Sequence, residues 1–380
     1  MSRNANSRVI IDLDAYRANL AFIRKVVGNT VRMIPIVKAN AYGHGLRAIA
    51  EAAVDEGVAL IGVATVDEGL YLRESGMTAP ILVMLQPPRR ALEDAIKNKL
   101  TLMVADKGLA DDIGAIAYAM NQVVPIHFKI DTGMGRQGIW HDEANAMLQH
   151  IKHITNIDIQ GICTHFPSAD IEEDSFTLNQ IKVFKQLLKQ LQKLGFPYEI
   201  AHAANSAAIV NYRDSYFDAV RPGLISYGVW PSKTGIKEEL LKRVLRWETN
   251  IIQLRELPPQ SNIGYDRSYT TYGPTRTAIL PVGYADGYPY RLANKSDVLI
   301  RGKRCPVRGA VSMDQIVVDV SALPRVSQGD TAILIGKDRD MEITAEELAQ
   351  KAGTIPYDIL TGIGPRVCRE YIQQSKDKQD

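Results

Sequence analysis

Eight short apolar runs, each separated from the next by a helix-patterned segment, occupy the first two-thirds of this 380-residue chain and restrict its possible folds more than any other feature. They fall at residues 33–37, 60–63, 81–85, 100–104, 125–130, 159–164, 198–201 and 217–220. Strands that are apolar throughout are buried on both faces, and strands joined through helices lie parallel. The intervening segments, for example 45–56, 106–120, 142–150, 173–194 and 206–212, repeat apolar residues at helical spacing. In the longest, Ile181, Phe184, Leu187, Leu188 and Leu191 form one face with lysines opposite, which is a core face. Eight strands close a (β/α)8 barrel, so the expected fold class is α/β with an N-terminal TIM-type barrel; a doubly wound open sheet is the competing architecture.

From about Leu240 the pattern changes. Strand-like runs at 248–254, 277–282, 298–301, 316–320 and 331–335 alternate with Pro/Gly turns such as Pro258-Pro259 and Tyr272-Gly273-Pro274, and one late helix is expected at 345–352. The expected organisation is a barrel over residues 12–235, a linker at 231–235, and a mainly β domain over 240–380. A first strand within residues 1–11 is expected to join the β domain. Net charge is +2, which gives no electrostatic reason to expect nucleic acid or an anionic membrane as a partner. The first six residues are polar, unlike a signal peptide, and no apolar run is long enough to span a bilayer. The cysteines, Cys163, Cys305 and Cys368, are odd in number and widely spaced, which fits a reducing cytoplasm better than a disulfide framework.

Barrel active sites sit at the C-terminal ends of the strands, with phosphate often bound after strands seven and eight. Candidates collect there. Lys38 follows the first run; an amine among apolar neighbours has a lowered pKa and can attack an aldehyde. Lys129 ends the fifth run, with Arg136 beyond it, and His165 ends the sixth. Asn205 and Ser206 open a helix after the seventh, where backbone N–H groups suit a dianion. Arg221 ends the eighth, with Gly223 just after it. The segment Gly133-Met134-Gly135-Arg136-Gln137-Gly138 matches G-x-G-x-x-G, but a dinucleotide loop requires a helix opening at the glycines and an acid about 20 residues on. Here the helix starts near Asp142 and His165 ends the next strand, so the glycines are read as allowing close backbone approach to a ligand. His150 and His153 lack a third metal ligand nearby and read as a surface pair, and no metal is expected.

The string Pro35-Ile36-Val37-Lys38-Ala39-Asn40-Ala41-Tyr42-Gly43-His44-Gly45 resembles the cofactor-lysine motif of alanine racemases. The resemblance continues through His127-Phe128-Lys129-Ile130-Asp131-Thr132-Gly133-Met134-Gly135-Arg136, Thr164-His165-Phe166, His202-Ala203-Ala204-Asn205-Ser206-Ala207, Arg221-Pro222-Gly223 and Ile263-Gly264-Tyr265. Val282-Gly283-Tyr284-Ala285-Asp286-Gly287-Tyr288, Ser312-Met313-Asp314 and Pro356-Tyr357 complete it, over nearly the full chain. It implies a racemase for L- and D-alanine built as a pyridoxal 5'-phosphate (PLP) barrel plus a β domain. It also implies a homodimer whose sites each borrow residues from the partner's β domain. Lys38 would hold PLP covalently and act as one base, and Tyr265 of the other subunit as the second. Tyr42, Ser206, Gly223, Leu224 and Tyr357 would hold the phosphate, beside Asn205. Arg221 would face the pyridine nitrogen with His165 behind it. Arg136 and the N–H of Met313 would hold the substrate carboxylate. Lys129, of a kind that can be carbamylated, would orient Arg136, Tyr284 would line the access channel, and Asp314 would support the loop. The family's product points to a peptidoglycan precursor.

Asp266, Pro167 and Thr361 depart from the residues common in the family at their places, glycine, alanine and cysteine. A broader-specificity racemase and a PLP decarboxylase of the same architecture are the alternatives, and a non-catalytic PLP carrier a third. Arg221 argues against the decarboxylase, which would pair the pyridine nitrogen with an acid, and the Tyr265 segment argues against both non-racemase readings.

Overall fold

The computed structural model describes residues 6–196, 198–232 and 238–373. They form two compact units. One holds Tyr16–Ala41 and Leu46–Lys242; the other holds Tyr42–Gly45, Arg243–Asp380 and the first fifteen residues. Most of the expected linker, from Lys233 to Gly235, lies outside the described residues.

In the first unit the eight runs become parallel strands: Arg32–Met33, Ile61–Val63, Ile81–Val83, Thr101–Val104, Val124–Asp131, Ile157–Cys163, Ile200–His202 and Ala219–Val220. Each pairs with its sequence neighbour from the second strand to the eighth, and the eighth pairs back to the first. The remaining gap is bridged at Ile36 and Gly62, where Val37 N–H donates to Gly62 O at 2.8 Å and Gly62 N–H to Pro35 O at 2.9 Å. Sequential order with joined edges is a barrel and excludes the doubly wound sheet. The regular ladder of the first strand is short because Pro35 has no N–H to give.

The helices follow their caps. Asp106 accepts from Leu109 N–H ahead of Lys107–Ala119. Asp174 does the same for Ser175–Lys193, whose Ile181, Phe184, Leu187, Leu188 and Leu191 are all buried. Each such side chain stabilises the unit by about 1.5–3 kcal/mol. Thr65 and Glu68 form a capping box on Val66–Glu74.

In the second unit Ser7–Asp12 lies between Leu245–Asn250, antiparallel, and Cys368–Ile372, parallel. That sheet continues through Thr331–Asp338 and Asp297–Ile300 to Lys303–Pro306. A three-stranded sheet of Gln253–Leu257, Thr275–Leu280 and Ile316–Asp319 and a small hairpin complete it, with the helix Ala345–Ala352 where it was expected. The run expected at 248–254 is two strands in two different sheets. Ile251 N–H turns to Asp330 O and Ile252 N–H to Ile279 O, which splits the run. Among the described residues no helix is long and apolar enough to cross a membrane.

Candidate active site

Lys38 follows the first barrel strand and its bridge at Ile36, and the chain then reverses in a left-handed turn. Ala39, Asn40, Ala41 and Tyr42 all have φ between 52° and 54°. Non-glycine residues rarely adopt this conformation, and never cheaply. The turn is held from outside. Glu68 Oε1 accepts Ala39 N–H at 2.6 Å while its Oε2 accepts Ala64 N–H at 2.7 Å, so one carboxylate ties together the ends of strands one and two. Asn40 Oδ1 accepts Leu46 N–H at 2.9 Å. Within the second unit the chain passes so close to the last helix that a Cβ on Gly43 would lie 2.1 Å from Leu360 O, and Gly43 also has φ +83°. This contact is why residues 42–45, expected within the barrel, group with the β unit. The Lys38 amine is lowered from its ordinary value, first by loss of water and then by the guanidinium groups of Arg136 and Arg221, with Glu68 opposing.

Arg221 is buried and surrounded by acceptors. Nη1 donates to His202 O at 3.0 Å and His202 Nδ1 at 2.7 Å. Nη2 donates to Thr164 O and Ala203 O, both at 2.8 Å, and to His165 Nδ1 at 3.0 Å. A guanidinium cannot accept, so His202 carries its proton on Nε2 and donates it to His127 Nδ1 at 2.8 Å. By the same rule His165 carries its proton on Nε2. All three rings are held neutral, chiefly by burial and then by the Arg221 charge: His127 is lowered to about 3, and His165 and His202 well below their usual range. Among the described residues no carboxylate pairs with Arg221, and its Nε–H has no partner. Gly161, on the sixth strand, leaves room for the His127 ring, which a Cβ there would meet at 2.5 Å.

Beside this network Ser206 Oγ accepts Gly223 N–H at 2.9 Å and Ile225 N–H at 3.4 Å. The loops after strands seven and eight are thereby stitched together next to Leu224. Asn205 is committed to the chain: its Oδ1 caps Ala208 N–H and its Nδ2 donates to Phe166 O. Lys129 is buried beside Cys163, and burial lowers its amine to about 8, aided by Arg221 and Arg136. Arg136 is exposed.

The β unit carries the other candidates. Tyr42 packs on Tyr357 with ring centroids 5.8 Å apart, and burial raises the Tyr42 phenol. Thr361 Oγ1 donates to Tyr357 O at 2.7 Å, so this departure from the family stiffens the Tyr357 turn. Tyr284 N–H donates to Ser312 O and Ala285 N–H to Met313 O, placing the Tyr284 and Met313 turns side by side. Arg366 bridges Asp314 at 2.8 Å and Asp286 at 3.2 Å. Tyr265 lies just beyond the strand Asn262–Ile263 of the small hairpin, 70% exposed, and its phenol makes no hydrogen bond among the described residues. Asp266 has φ +56°, a conformation that glycine favours and aspartate tolerates, so its place in a family position of glycine is accounted for.

Sequence reasoning missed His127 and His202 as members of the Arg221 network, and Glu68. Two histidines inside apolar strands were the available signal. Glu68 had none beyond its capping-box spacing, because its bond to Ala39 is tertiary.

These contacts suit PLP. A cationic, donor-only group with one spare N–H fits an unprotonated ring nitrogen, a lowered amine fits an aldehyde, and the stitched loops fit a phosphate.

The family model for "Alanine racemase, N-terminal domain" matches residues 11–231, and that for "Alanine racemase, C-terminal domain" matches 244–371. The alanine racemase of Halothermothrix orenii is 41% identical over 361 residues, 95% of this chain and 95% of its own. A solved alanine racemase of Clostridium difficile 630 has TM-score 0.93 at 34% identity, covering 98% of this chain and 97% of its own. That of Bartonella henselae, described with covalently bound pyridoxal phosphate, has TM-score 0.87 at 31% identity, covering 97% and 100%.

Proposed function

Because the chain belongs to the alanine racemase family, we propose that it interconverts L- and D-alanine with PLP through two bases, Lys38 and Tyr265, on opposite faces of the substrate. The cofactor, when bound, supplies the electron sink that makes the substrate Cα proton removable. The protein supplies position and proton traffic. A single base returns a proton to the face it came from, so inversion needs a second group on the other face. Lys38, held by the left-handed turn and partly desolvated, is suited to hold the cofactor and to take or return the proton on one side. Tyr265 is the counterpart. Its exposure on its own unit is what a side chain lent to a partner's site requires, which supports a homodimer with shared sites.

Ser206, Gly223, Leu224, Tyr42 and Tyr357 are proposed to hold the phosphate, with Asn205 fixing the helix start. Arg136 and Met313 N–H would hold the substrate carboxylate, Lys129 would orient Arg136, and Tyr284 with Asp314 would line and brace the approach. A cytoplasmic enzyme supplying D-alanine for peptidoglycan is consistent with this reading. The observation that carries it is Arg221: a buried, carboxylate-free guanidinium that spends its Nη protons on the protein and keeps Nε–H for a ligand. The direct test is incubation of the purified protein with PLP and L-alanine, followed by chiral chromatography. D-alanine should accumulate towards equal amounts. Release of ethylamine would point to a decarboxylase, and unchanged L-alanine to a carrier.

Arg221 can only donate, so opposite the ring nitrogen it would favour the unprotonated ring and a moderated electron sink. Arg221→Glu is therefore expected to slow racemisation and to raise transamination to pyruvate, measured with a coupled pyruvate assay. Arg221→Lys, which keeps the charge, should not raise pyruvate. A Glu variant that binds PLP normally without extra pyruvate would show that Arg221 does not face the ring nitrogen.

A further inference from the structure

We propose that Asp131 is a positioning residue that sets Arg136 for the substrate carboxylate; this rests on the reading of Arg136 as the carboxylate-binding group. Asp131 ends the fifth barrel strand and is buried. Its Oδ1 accepts Gly133 N–H and Met134 N–H, both at 2.8 Å, and its Oδ2 accepts Gly135 N–H at 2.8 Å and Arg136 N–H at 3.2 Å. One carboxylate thus gathers four consecutive backbone donors, and the last of them belongs to Arg136.

The glycine pattern that imitates a dinucleotide loop has a different use here. Such a loop turns its N–H groups towards a bound phosphate. In this chain they are turned inward on the protein's own anion. The winding needs Gly133 at φ +139° and Gly135 at φ +70°. The chain then comes back against its starting point. A Cβ on Gly138 would lie 2.6 Å from Asp131 N, His141 N–H donates to Asp131 O at 3.1 Å, and Ile139–Trp140 runs parallel beside Ile130 and Asp131. Arg136 stands at the middle of a loop closed at both ends and fastened at its centre. Its charge contributes to lowering Lys38, Lys129 and His165, in keeping with a place at the rim where the fifth strand ends. The carboxylate is occupied by backbone donors.

An asparagine has one acceptor oxygen, and its NH2 would oppose two of the N–H donors. Asp131→Asn should therefore loosen Arg136 without touching either base. An arginine contact to the substrate carboxylate is made before and during proton transfer, so its loss raises KM more than it lowers kcat. The expected result is a KM for L-alanine raised by about 10- to 100-fold, the range for a hydrogen bond to a charged group, with kcat changed less. The dissociation constant of propionate, measured calorimetrically on the PLP-loaded protein, should weaken in parallel. In the double variant Asp131→Asn, Arg136→Ala, the effects on KM should not add. Gly135→Ala, whose Cβ would meet nothing within 4 Å, disturbs the winding while keeping the carboxylate and should give a smaller shift of the same kind should the Asn variant fail to fold. An unchanged KM and propionate affinity in a folded Asp131→Asn or Gly135→Ala protein, or full additivity in the double variant, would overturn the proposal. If Arg136→Ala alone leaves both quantities unchanged, the reading of Arg136 fails separately.

Discussion

Replacing Lys38 by alanine is expected to remove the borohydride-reducible absorbance of the PLP-loaded protein and to lower racemisation by at least about 10²–10⁴-fold, the contribution of one acid–base group alone. The proposed covalent attachment would be lost with it, so the effect should exceed that of any other single substitution. The reason is local. Lys38 is the last residue before the left-handed turn, and among the described residues no other lysine combines that position with partial desolvation and the lowering charges of Arg136 and Arg221. Lys129, the other lowered amine, is buried beside Cys163 and cannot reach outward as readily. Peptide mapping after reduction should place the pyridoxyl group on Lys38. Finding it on Lys129 would reverse the two assignments.

The second large effect concerns Tyr265. Tyr265→Phe keeps the ring and removes the proton-carrying oxygen, and a loss of about 10²–10⁴-fold is expected. If sites are shared between subunits, co-expressing Lys38→Ala with Tyr265→Phe creates dimers in which one site has both bases and the other has neither. Racemisation should then reappear at up to half the wild-type rate per heterodimer. Heterodimers confirmed by native mass spectrometry that stay inactive would show that both bases come from one chain.

The barrel was legible because its strands are short and mostly apolar on both faces, so the runs stand out between the helices. Where polarity enters, the reading slips. The seventh run, expected at 198–201, is the strand Ile200–His202. His202 is tolerated inside because Arg221 and His127 satisfy both its nitrogens. The run at 248–254 was continuous in composition and yet is divided between two sheets, a decision made by partners far away in sequence. The rim candidates were legible from strand ends alone. What fixes them was not: Glu68 reaches Ala39 across 29 positions, and nothing in the sequence marks Asp131 as the acceptor of four backbone donors.

The left-handed turn after Lys38 also bears on the order in which this protein is made. Four non-glycine residues in that conformation cost roughly 1–2 kcal/mol each, about as much together as the entire net stability of many domains. Free chain would not adopt it. In the folded protein the turn is braced by Glu68, which the helix Val66–Glu74 carries to Ala39. A nascent or half-closed barrel therefore has the lysine but not its presentation. If Lys38 holds the cofactor, uptake is then expected to report that this part of the barrel has closed.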